Sequence, residues 1–71
     1  MDIKIVVGKR IKQLRNNLGL SQEELADIAS LDRTYITSVE RGKRNISIVN
    51  IDKIARALKI NLNEFFTFDN Y

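Results

Sequence analysis

The residues with the most evident chemistry lie in one short segment near the middle of the chain. Residues 32 to 41 have the pattern of a helix whose two apolar positions, Ile36 and Val39, lie three residues apart. The opposite side of this helix carries Thr34, Thr37, Ser38 and Arg41, with Arg33 near its N-terminus. Guanidinium and hydroxyl groups can hydrogen-bond the edges of DNA bases, and arginine pairs well with guanine O6 and N7. The segment therefore indicates recognition, because no nucleophile with an activating base accompanies it.

The composition argues against most other kinds of chemistry. The 71 residues include no cysteine and no histidine, so thiolate metal ligands, disulfides and the commonest general base are all missing. We therefore expect no enzyme activity, no cofactor and no bound metal. No apolar run approaches the roughly 18 residues that a membrane helix needs, and the N-terminus lacks the pattern of a secretory signal. We expect a cytoplasmic protein with no membrane partner.

The sequence before residues 32–41, which we call the polar helix, predicts two further helices. The first has apolar residues at helical spacing on one face, namely Val7, Ile11, Leu14 and Leu18. Gly19 ends it, as glycine commonly does just beyond a helix C-terminus, and the residues before Val6 fit either a helix start or an extended arm. Ser21 and Glu24 form a capping box that begins a second helix. Its apolar side is predicted to consist of Leu25, Ile28 and Ala29.

The connection from the second helix to the polar helix is short, as in a helix-turn-helix motif. Ala26 is a small residue where the two helices should cross. Ser30 occupies a turn position that often has a positive φ, where a left-handed serine costs about 1–2 kcal/mol, so we expect an altered or strained turn. Asp32 is suited to cap the polar helix, because its carboxylate can accept backbone N–H groups there.

Two further helices are predicted after a basic loop at residues 41–45. Ser47 caps the fourth helix, whose core-facing residues are expected to be Ile48, Ile51, Ile54, Ala55 and Leu58. Asn61 and Glu64 begin a short fifth helix that carries Leu62, Phe65 and Phe66, and residues 67–71 are expected to be loose. The sequence thus predicts one all-α domain over residues 1–71, a compact bundle of five helices.

The helix pair and the charge pattern together indicate binding to DNA. In a helix-turn-helix the second helix lies in the major groove, where residues near its N-terminus contact base edges. The net charge is only +3, but the basic residues cluster at residues 9–15 and 41–44, with acidic residues between them. Such a distribution is expected of a DNA-binding surface, and a basic loop beside the recognition helix is suited to contact phosphates.

Two stretches of the sequence carry a resemblance to a known family. LGLSQEELA at residues 18–26 and YITSVERGKR at residues 35–44 resemble the lambda-repressor-like, Xre/Cro-type helix-turn-helix family, and the similarity extends over about residues 7–66. LDRTYIT at residues 31–37, with the following ER and RN pairs, looks closer still to restriction-modification controller proteins. The resemblance implies a five-helix lambda-repressor-like DNA-binding domain that regulates transcription, with a recognition helix over about residues 32–41.

The resemblance also implies a role for each matching residue. Base contacts are expected from Arg33, Thr34 and Ser38, with Tyr35 and Thr37 toward the edge of the groove. Phosphate contacts are expected from Gln22, Arg41, Lys43, Arg44 and Asn45. Arg15 and Glu40 match a partly buried ion pair between the first and third helices, and loss of either would leave a charge without its partner.

A homodimer is expected, because one recognition helix reads only a few base pairs and family members bind palindromic operators as dimers. The surplus of apolar residues over about residues 46–68 supports this expectation. An isologous interface is predicted from Ile46, Val49, Phe65, Phe66 and Phe68. The alternative for Phe65 and Phe66 is that they close the core, and we expect one of the two to do so. RNA polymerase, blocked or recruited at a nearby promoter, is the further partner that the resemblance implies.

Other functions fit the same domain. A phage-type repressor, or an antitoxin that regulates its own genes, would carry similar residues. A protein-interaction module that kept the fold but lost DNA binding is a different class, against which Arg33 and the basic loop argue. Salt-dependent binding to random DNA would separate that class from a DNA-binding regulator.

Overall fold

Five helices account for most of the chain in a computed structural model, which describes residues 2–68. They are α1 (Ile3–Asn17), α2 (Gln22–Ala29), α3 (Arg33–Glu40), α4 (Ile48–Ala57) and α5 (Leu62–Phe65). Residues 2–68 contain no strand, so the prediction of an all-α fold with five helices is confirmed. Within this range no helix combines the length and apolar character needed to cross a membrane.

Side chains at the helix N-termini determine where the helices begin. Each cap accepts a hydrogen bond from a backbone N–H in the first turn, and the five caps are Asp2, Ser21, Asp32, Ser47 and Asn61. The capping box of α2 is present in both directions: Ser21 Oγ accepts from Glu24 N at 3.0 Å, and Glu24 Oε1 accepts from Ser21 N at 2.8 Å. Because Asp2 caps α1, residues 3–5 are helical and do not form an extended arm.

One apolar core joins the five helices. The fully buried large side chains come from every helix and include Ile11, Leu25, Ile36, Ile54 and Phe65, with Leu58 just after α4. The helix-turn-helix is built into this core, because α3 packs against both α1 and α2. Ala26 is 2% exposed, as expected of a small residue where two helices cross.

Three residues predicted to face the core are exposed instead. Leu18 is 48% exposed because it follows α1 as its C-cap, where the chain turns away at Gly19. Ile28 is 56% exposed because Leu25, Ala26 and Ala29 form the buried side of α2. Ile48 is 74% exposed in the first turn of α4, before the helix reaches the core at Ile51. In each case helical spacing predicts the apolar face of the helix correctly. The exposed residue lies at a part of that face that neighbouring helices do not cover.

The turn of the helix-turn-helix contains a left-handed serine. Ser30 has φ 57° and ψ 44°, so the expectation of strain at this position is confirmed. Its neighbour Leu31 donates a backbone hydrogen bond of 2.8 Å to the Ala26 carbonyl, which closes the end of α2. The turn therefore keeps the geometry that glycine would favour, with serine in a conformation that costs about 1–2 kcal/mol.

The C-terminal residues are only partly as expected. Thr67 donates to the Glu64 carbonyl through its backbone N–H and to the Asn63 carbonyl through its hydroxyl, so it is hydrogen-bonded to the end of α5. The expectation of looseness is therefore wrong for Thr67. Residues 69–71, to which the same expectation applied, lie outside the described residues.

Candidate nucleic-acid interface

The third helix presents a polar face to solvent. Its N-cap Asp32 and C-cap Arg41 agree with the recognition helix predicted over residues 32–41. Ile36 and Val39 are 0% and 2% exposed and hold α3 against the core. Helical geometry places the opposite arc outward. This arc brings together Arg33 and Thr34, which are exposed, and Thr37 and Ser38, which are half-buried.

An ion pair holds α3 against α1. Arg15 Nε donates to Glu40 Oε2 at 2.7 Å and Arg15 Nη2 donates to Glu40 Oε1 at 2.9 Å, a bidentate arrangement. The two side chains are 10% and 3% exposed. The hydrogen bond to Glu40 raises the pKa of Arg15 above its usual value. Arg15 Nη1 also donates to the Leu20 carbonyl at 2.8 Å, so the same side chain positions the segment that leads into α2.

Gln22 connects α2 to the ion pair and to the polar face. Its Nε2 donates to Glu40 Oε1 at 3.0 Å, and its Oε1 accepts from Thr37 Oγ1 at 2.9 Å. The family resemblance implies a phosphate contact for Gln22 but does not indicate this bridge. Gln22 also lines an open cleft of about 410 Å³ with Arg15, Ser21, Glu23 and Arg33. Because the Arg15 guanidinium is already paired with Glu40, the exposed Arg33 and the N-terminus of α2 are the groups that make this cleft suitable for an anion such as phosphate.

Asp32 and Thr34 form a compact cap at the start of α3. Asp32 Oδ1 accepts from Thr34 N at 2.8 Å and from Thr34 Oγ1 at 2.6 Å. These two hydrogen bonds, with the one from the hydroxyl being the larger cause, lower the pKa of the Asp32 carboxyl below its usual value. The Thr34 side chain is thus held by Asp32 while it remains exposed on the polar face.

Tyr35 lies on the flank of α3 and is held from two sides. The guanidinium carbon of Arg44 is 4.9 Å from the centre of the Tyr35 ring, which is within cation–π distance. Asn50 Nδ2 of α4 donates to the Tyr35 hydroxyl at 3.0 Å. Asn50 was not predicted as a site residue, and no local pattern marks it, because the contact spans fifteen residues of sequence.

The basic loop leaves the C-terminus of α3 with its side chains in solvent. Gly42 has φ 73°, and Lys43 donates a backbone hydrogen bond to the Ser38 carbonyl at 3.0 Å, so the loop turns back toward α3. The predicted phosphate-contacting residues of the loop, all of them exposed, are Arg41, Lys43, Arg44 and Asn45. Arg44 is brought to the polar face through its contact with Tyr35.

The residues predicted to form a dimer interface have different environments. Val49 and Phe66 are 62% and 45% exposed, whereas Ile46 is half-buried against the core. Phe68 is also half-buried. Phe65 is 0% exposed, so its assignment to an intermolecular surface is wrong: its ring fills the core between the helices. Ile48, which is 74% exposed, adds apolar surface beside Val49.

Comparison with known proteins finds relatives with a similar sequence and the same fold. A family model described as "Helix-turn-helix" matches residues 11–65. The control protein C.MunI from Mycoplasma sp. is 51% identical over 67 residues, which cover 93% of this chain and 90% of that protein. The crystal structure of the restriction-modification controller protein C.AhdI from Aeromonas hydrophila has a TM-score of 0.88 and 48% identity, and the match covers 93% of this chain and 100% of that chain.

A third match is to a complex with DNA. The structure of C.Esp1396I bound to a 25 base pair operator site has a TM-score of 0.86 and 36% identity, and the match covers 93% of this chain and 87% of that chain. The resemblance drawn from residues 18–26 and 31–45 is therefore confirmed over nearly the full length of the described fold. This chain belongs to the helix-turn-helix family, in which it is related to the restriction-modification controller proteins.

Proposed function

We propose that this chain is a sequence-specific DNA-binding regulator that controls the expression of restriction-modification genes. The observation that carries the proposal is the polar face of α3, which the core residues Ile36 and Val39 and the Arg15–Glu40 ion pair hold in a rigid orientation. A relative with 36% identity has been crystallised on operator DNA, which supports DNA binding by this fold. On this proposal the protein acts by occupancy and performs no catalysis, as expected of a transcription regulator.

Base recognition is assigned to the polar face. Arg33 lies in the first turn of α3 with an exposed guanidinium, where it can donate two parallel hydrogen bonds to guanine O6 and N7. Thr34, Thr37 and Ser38 follow on the same arc, and Tyr35 contacts the edge of the groove from the flank. These five residues would choose the sequence.

Phosphate binding is assigned to the two ends of the helix pair. At one end, Gln22 uses one N–H of its amide for Glu40, which leaves the second N–H for a phosphate in the cleft beside Arg15 and Arg33. At the other end, the basic loop supplies Arg41, Lys43, Arg44 and Asn45. Contacts on both sides of α3 would set its position along the duplex without reading its sequence.

Two copies of the chain would be needed for one operator. The exposed apolar side chains of Ile48, Val49 and Phe66 provide surface for an isologous contact, with Ile46 and Phe68 at its edge. Such a dimer would place two recognition helices in successive major grooves on one side of the duplex. Bound near a promoter, it would block or recruit RNA polymerase, and it would act in the cytoplasm.

Selection of bound sequences from randomised duplex DNA tests this function directly. We expect enrichment of a palindromic site whose half-site centres lie about 34–36 Å apart, with affinity that falls steeply as the salt concentration rises. Sedimentation at micromolar concentration should show a dimer. If no sequence is enriched and random DNA is not bound at low salt, the chain would instead be a protein-interaction module of the same fold.

A further inference from the structure

A continuous chain of hydrogen bonds leads from the α1–α3 ion pair to the polar face of α3. Glu40 accepts from Arg15 at 2.7 and 2.9 Å, and its Oε1 also accepts from Gln22 Nε2 at 3.0 Å. Gln22 Oε1 is in turn 2.9 Å from Thr37 Oγ1. Each side chain in this series determines whether the next one donates or accepts a hydrogen bond.

Glu40 determines which partner donates and which accepts in each of these hydrogen bonds. Its carboxylate is bound by the Arg15 guanidinium and can only accept hydrogen bonds. The amide of Gln22 must therefore turn its NH2 group toward Glu40 and its carbonyl oxygen toward Thr37, because the reverse orientation would place two acceptors in contact. An amide carbonyl also only accepts, so the Thr37 hydroxyl must be the donor in the last bond.

The second acceptor near this hydroxyl also belongs to the protein. Thr37 Oγ1 lies 3.1 Å from the Arg33 carbonyl oxygen, so its single proton lies between two acceptors on the chain itself. The Thr34 hydroxyl is likewise a donor within the protein, because its Oγ1 donates to the Asp32 carboxylate at 2.6 Å. Toward solvent, both hydroxyl oxygens can therefore only accept hydrogen bonds, through their lone pairs.

We propose that Thr37 and Thr34 contact DNA bases as hydrogen-bond acceptors only, because Gln22 and the Arg33 carbonyl occupy the hydroxyl proton of Thr37 and Asp32 occupies that of Thr34. The inference rests on the proposed DNA-binding function and specifies which base edges these residues can select. An acceptor pairs with an exocyclic amine, which is adenine N6 or cytosine N4 in the major groove. Guanine O6 and N7 and thymine O4 are themselves acceptors and cannot pair with these hydroxyl groups. On this face the Arg33 guanidinium is the donor that can bind them.

A double-mutant cycle between protein and base tests the proposal. Thr37→Val removes the hydroxyl but keeps the shape and a methyl group, so contact with a thymine methyl is preserved. On the site enriched by the unmodified protein, we expect this variant to bind about tenfold more weakly, the loss of one hydrogen bond. The base position on which the loss depends is identified by repeating the selection with the variant.

Base analogues at that position then separate donor from acceptor. Purine in place of adenine, or 2-pyrimidinone in place of cytosine, removes the exocyclic amine, and a 7-deazapurine removes the N7 acceptor instead. Loss of the amine should weaken binding of the unmodified protein about tenfold and have no further effect on Thr37→Val. Loss of N7 should affect the two proteins equally. Thr34→Val provides the same test at the second hydroxyl.

Thr37→Ala removes the same hydroxyl with the best helix-forming residue, so the test does not depend on one variant folding. Coupling of Thr37 to N7, or unchanged affinity in both variants, would overturn the acceptor assignment while an enriched operator still supports the proposed function. Failure of the unmodified protein to enrich any sequence would overturn both.

Discussion

Gly8 of α1 packs directly against the backbone at the end of α3. A Cβ atom on Gly8 would collide with the Val39 carbonyl oxygen and lie 2.9 Å from the Glu40 carbonyl oxygen. This close approach allows α1 to support α3 and brings Arg15, two turns further along α1, to Glu40. The orientation of the polar face therefore depends on the absence of a side chain at Gly8.

Gly8→Ala should destabilise the fold even though alanine is the better helix former. The gain in helix propensity is about 1 kcal/mol, whereas forcing backbone atoms apart in a packed contact costs about 1–3 kcal/mol. We expect a net loss in the free energy of unfolding, measured with urea. Lys9→Ala, at the exposed neighbouring position, should change it by less than about 0.5 kcal/mol. A Gly8→Ala variant more stable than the original chain would contradict the close packing.

Removal of either partner of the Arg15–Glu40 pair should strongly destabilise the protein. Glu40→Leu leaves a buried guanidinium without its carboxylate, which costs about 3–5 kcal/mol. The double variant Arg15→Met, Glu40→Leu should lose less than the sum of the single changes, because no unpaired charge remains. Thermal or urea unfolding measures both.

The exposed Arg56–Asp52 pair on α4 is a matched control for this experiment. Its side chains are 80% and 44% exposed, so Asp52→Asn should cost less than about 1 kcal/mol. If the losses in the free energy of unfolding of the Arg15 and Glu40 single variants instead add up in the double variant, the two charges do not stabilise each other.

Ser30→Gly should stabilise the chain. The backbone at this position has φ 57°, which glycine adopts without the penalty that serine incurs. We expect a gain of about 1 kcal/mol in the free energy of unfolding, somewhat less than the full penalty because glycine has more freedom in the unfolded state. Ser30→Ala keeps the left-handed strain and should give no gain. Equal stability of the glycine and alanine variants would mean that the turn stores no strain.

Acid should destabilise the fold partly through its helix caps. Hydrogen bonds from Thr34 lower the pKa of Asp32 below its ordinary 3.8, and hydrogen bonds with Ser21 lower that of Glu24 below its ordinary 4.5. A carboxyl whose folded pKa is depressed stabilises the fold above its unfolded pKa, and this contribution is lost as the pH falls through the folded value. The free energy of unfolding should therefore decline below about pH 4.5, as the two carboxyls take up protons.

Asp32→Ser isolates one of these groups. Serine also caps helices but does not titrate, so this variant should keep most of its stability at pH 7 and lose the part of the acid dependence that belongs to Asp32. Urea unfolding at a series of pH values measures the difference. Identical profiles for the variant and the unmodified chain would remove Asp32 from the explanation.

Arg33→Ala and Lys43→Ala should weaken DNA binding in different ways. Without Arg33, affinity for the selected site should fall by about 1–3 kcal/mol and the sequence preference should relax. Without Lys43, affinity should fall alike on selected and random DNA, and the salt dependence should become shallower by about one ion. Lys59→Ala removes the same charge from an exposed position just after α4, outside both basic clusters, and serves as the control for net charge. Equal losses on selected and random DNA for Arg33→Ala would argue against base reading by Arg33.

Local interactions explain why so much of the fold could be predicted from the sequence. The cap of α2 joins residues only three apart, and the cap of α3 joins residues only two apart, so residue types alone indicate where these helices begin. The same holds for the polar and apolar sides of α3, because eight residues of helix place Ile36 and Val39 opposite Thr34 and Thr37 whatever surrounds them. Residue types and spacing were thus enough to predict the helices and the polar face of α3, whereas they left open whether the turn at Ser30 is altered or strained, and the structure shows it to be left-handed.

Only the tertiary structure decided which parts of each apolar face are covered and how the polar side chains are joined. Phe65 and Phe66 are adjacent and chemically identical, but only Phe65 points to the core. The bonds from Gln22 to Glu40 and from Asn50 to Tyr35 span eighteen and fifteen residues, and the ion pair spans twenty-five. Such contacts depend on how whole helices cross, which periodicity within one helix does not specify. For this reason the sequence could predict a DNA contact at Thr37, but only the packing of α2 against α3 places the Thr37 hydroxyl against Gln22 Oε1.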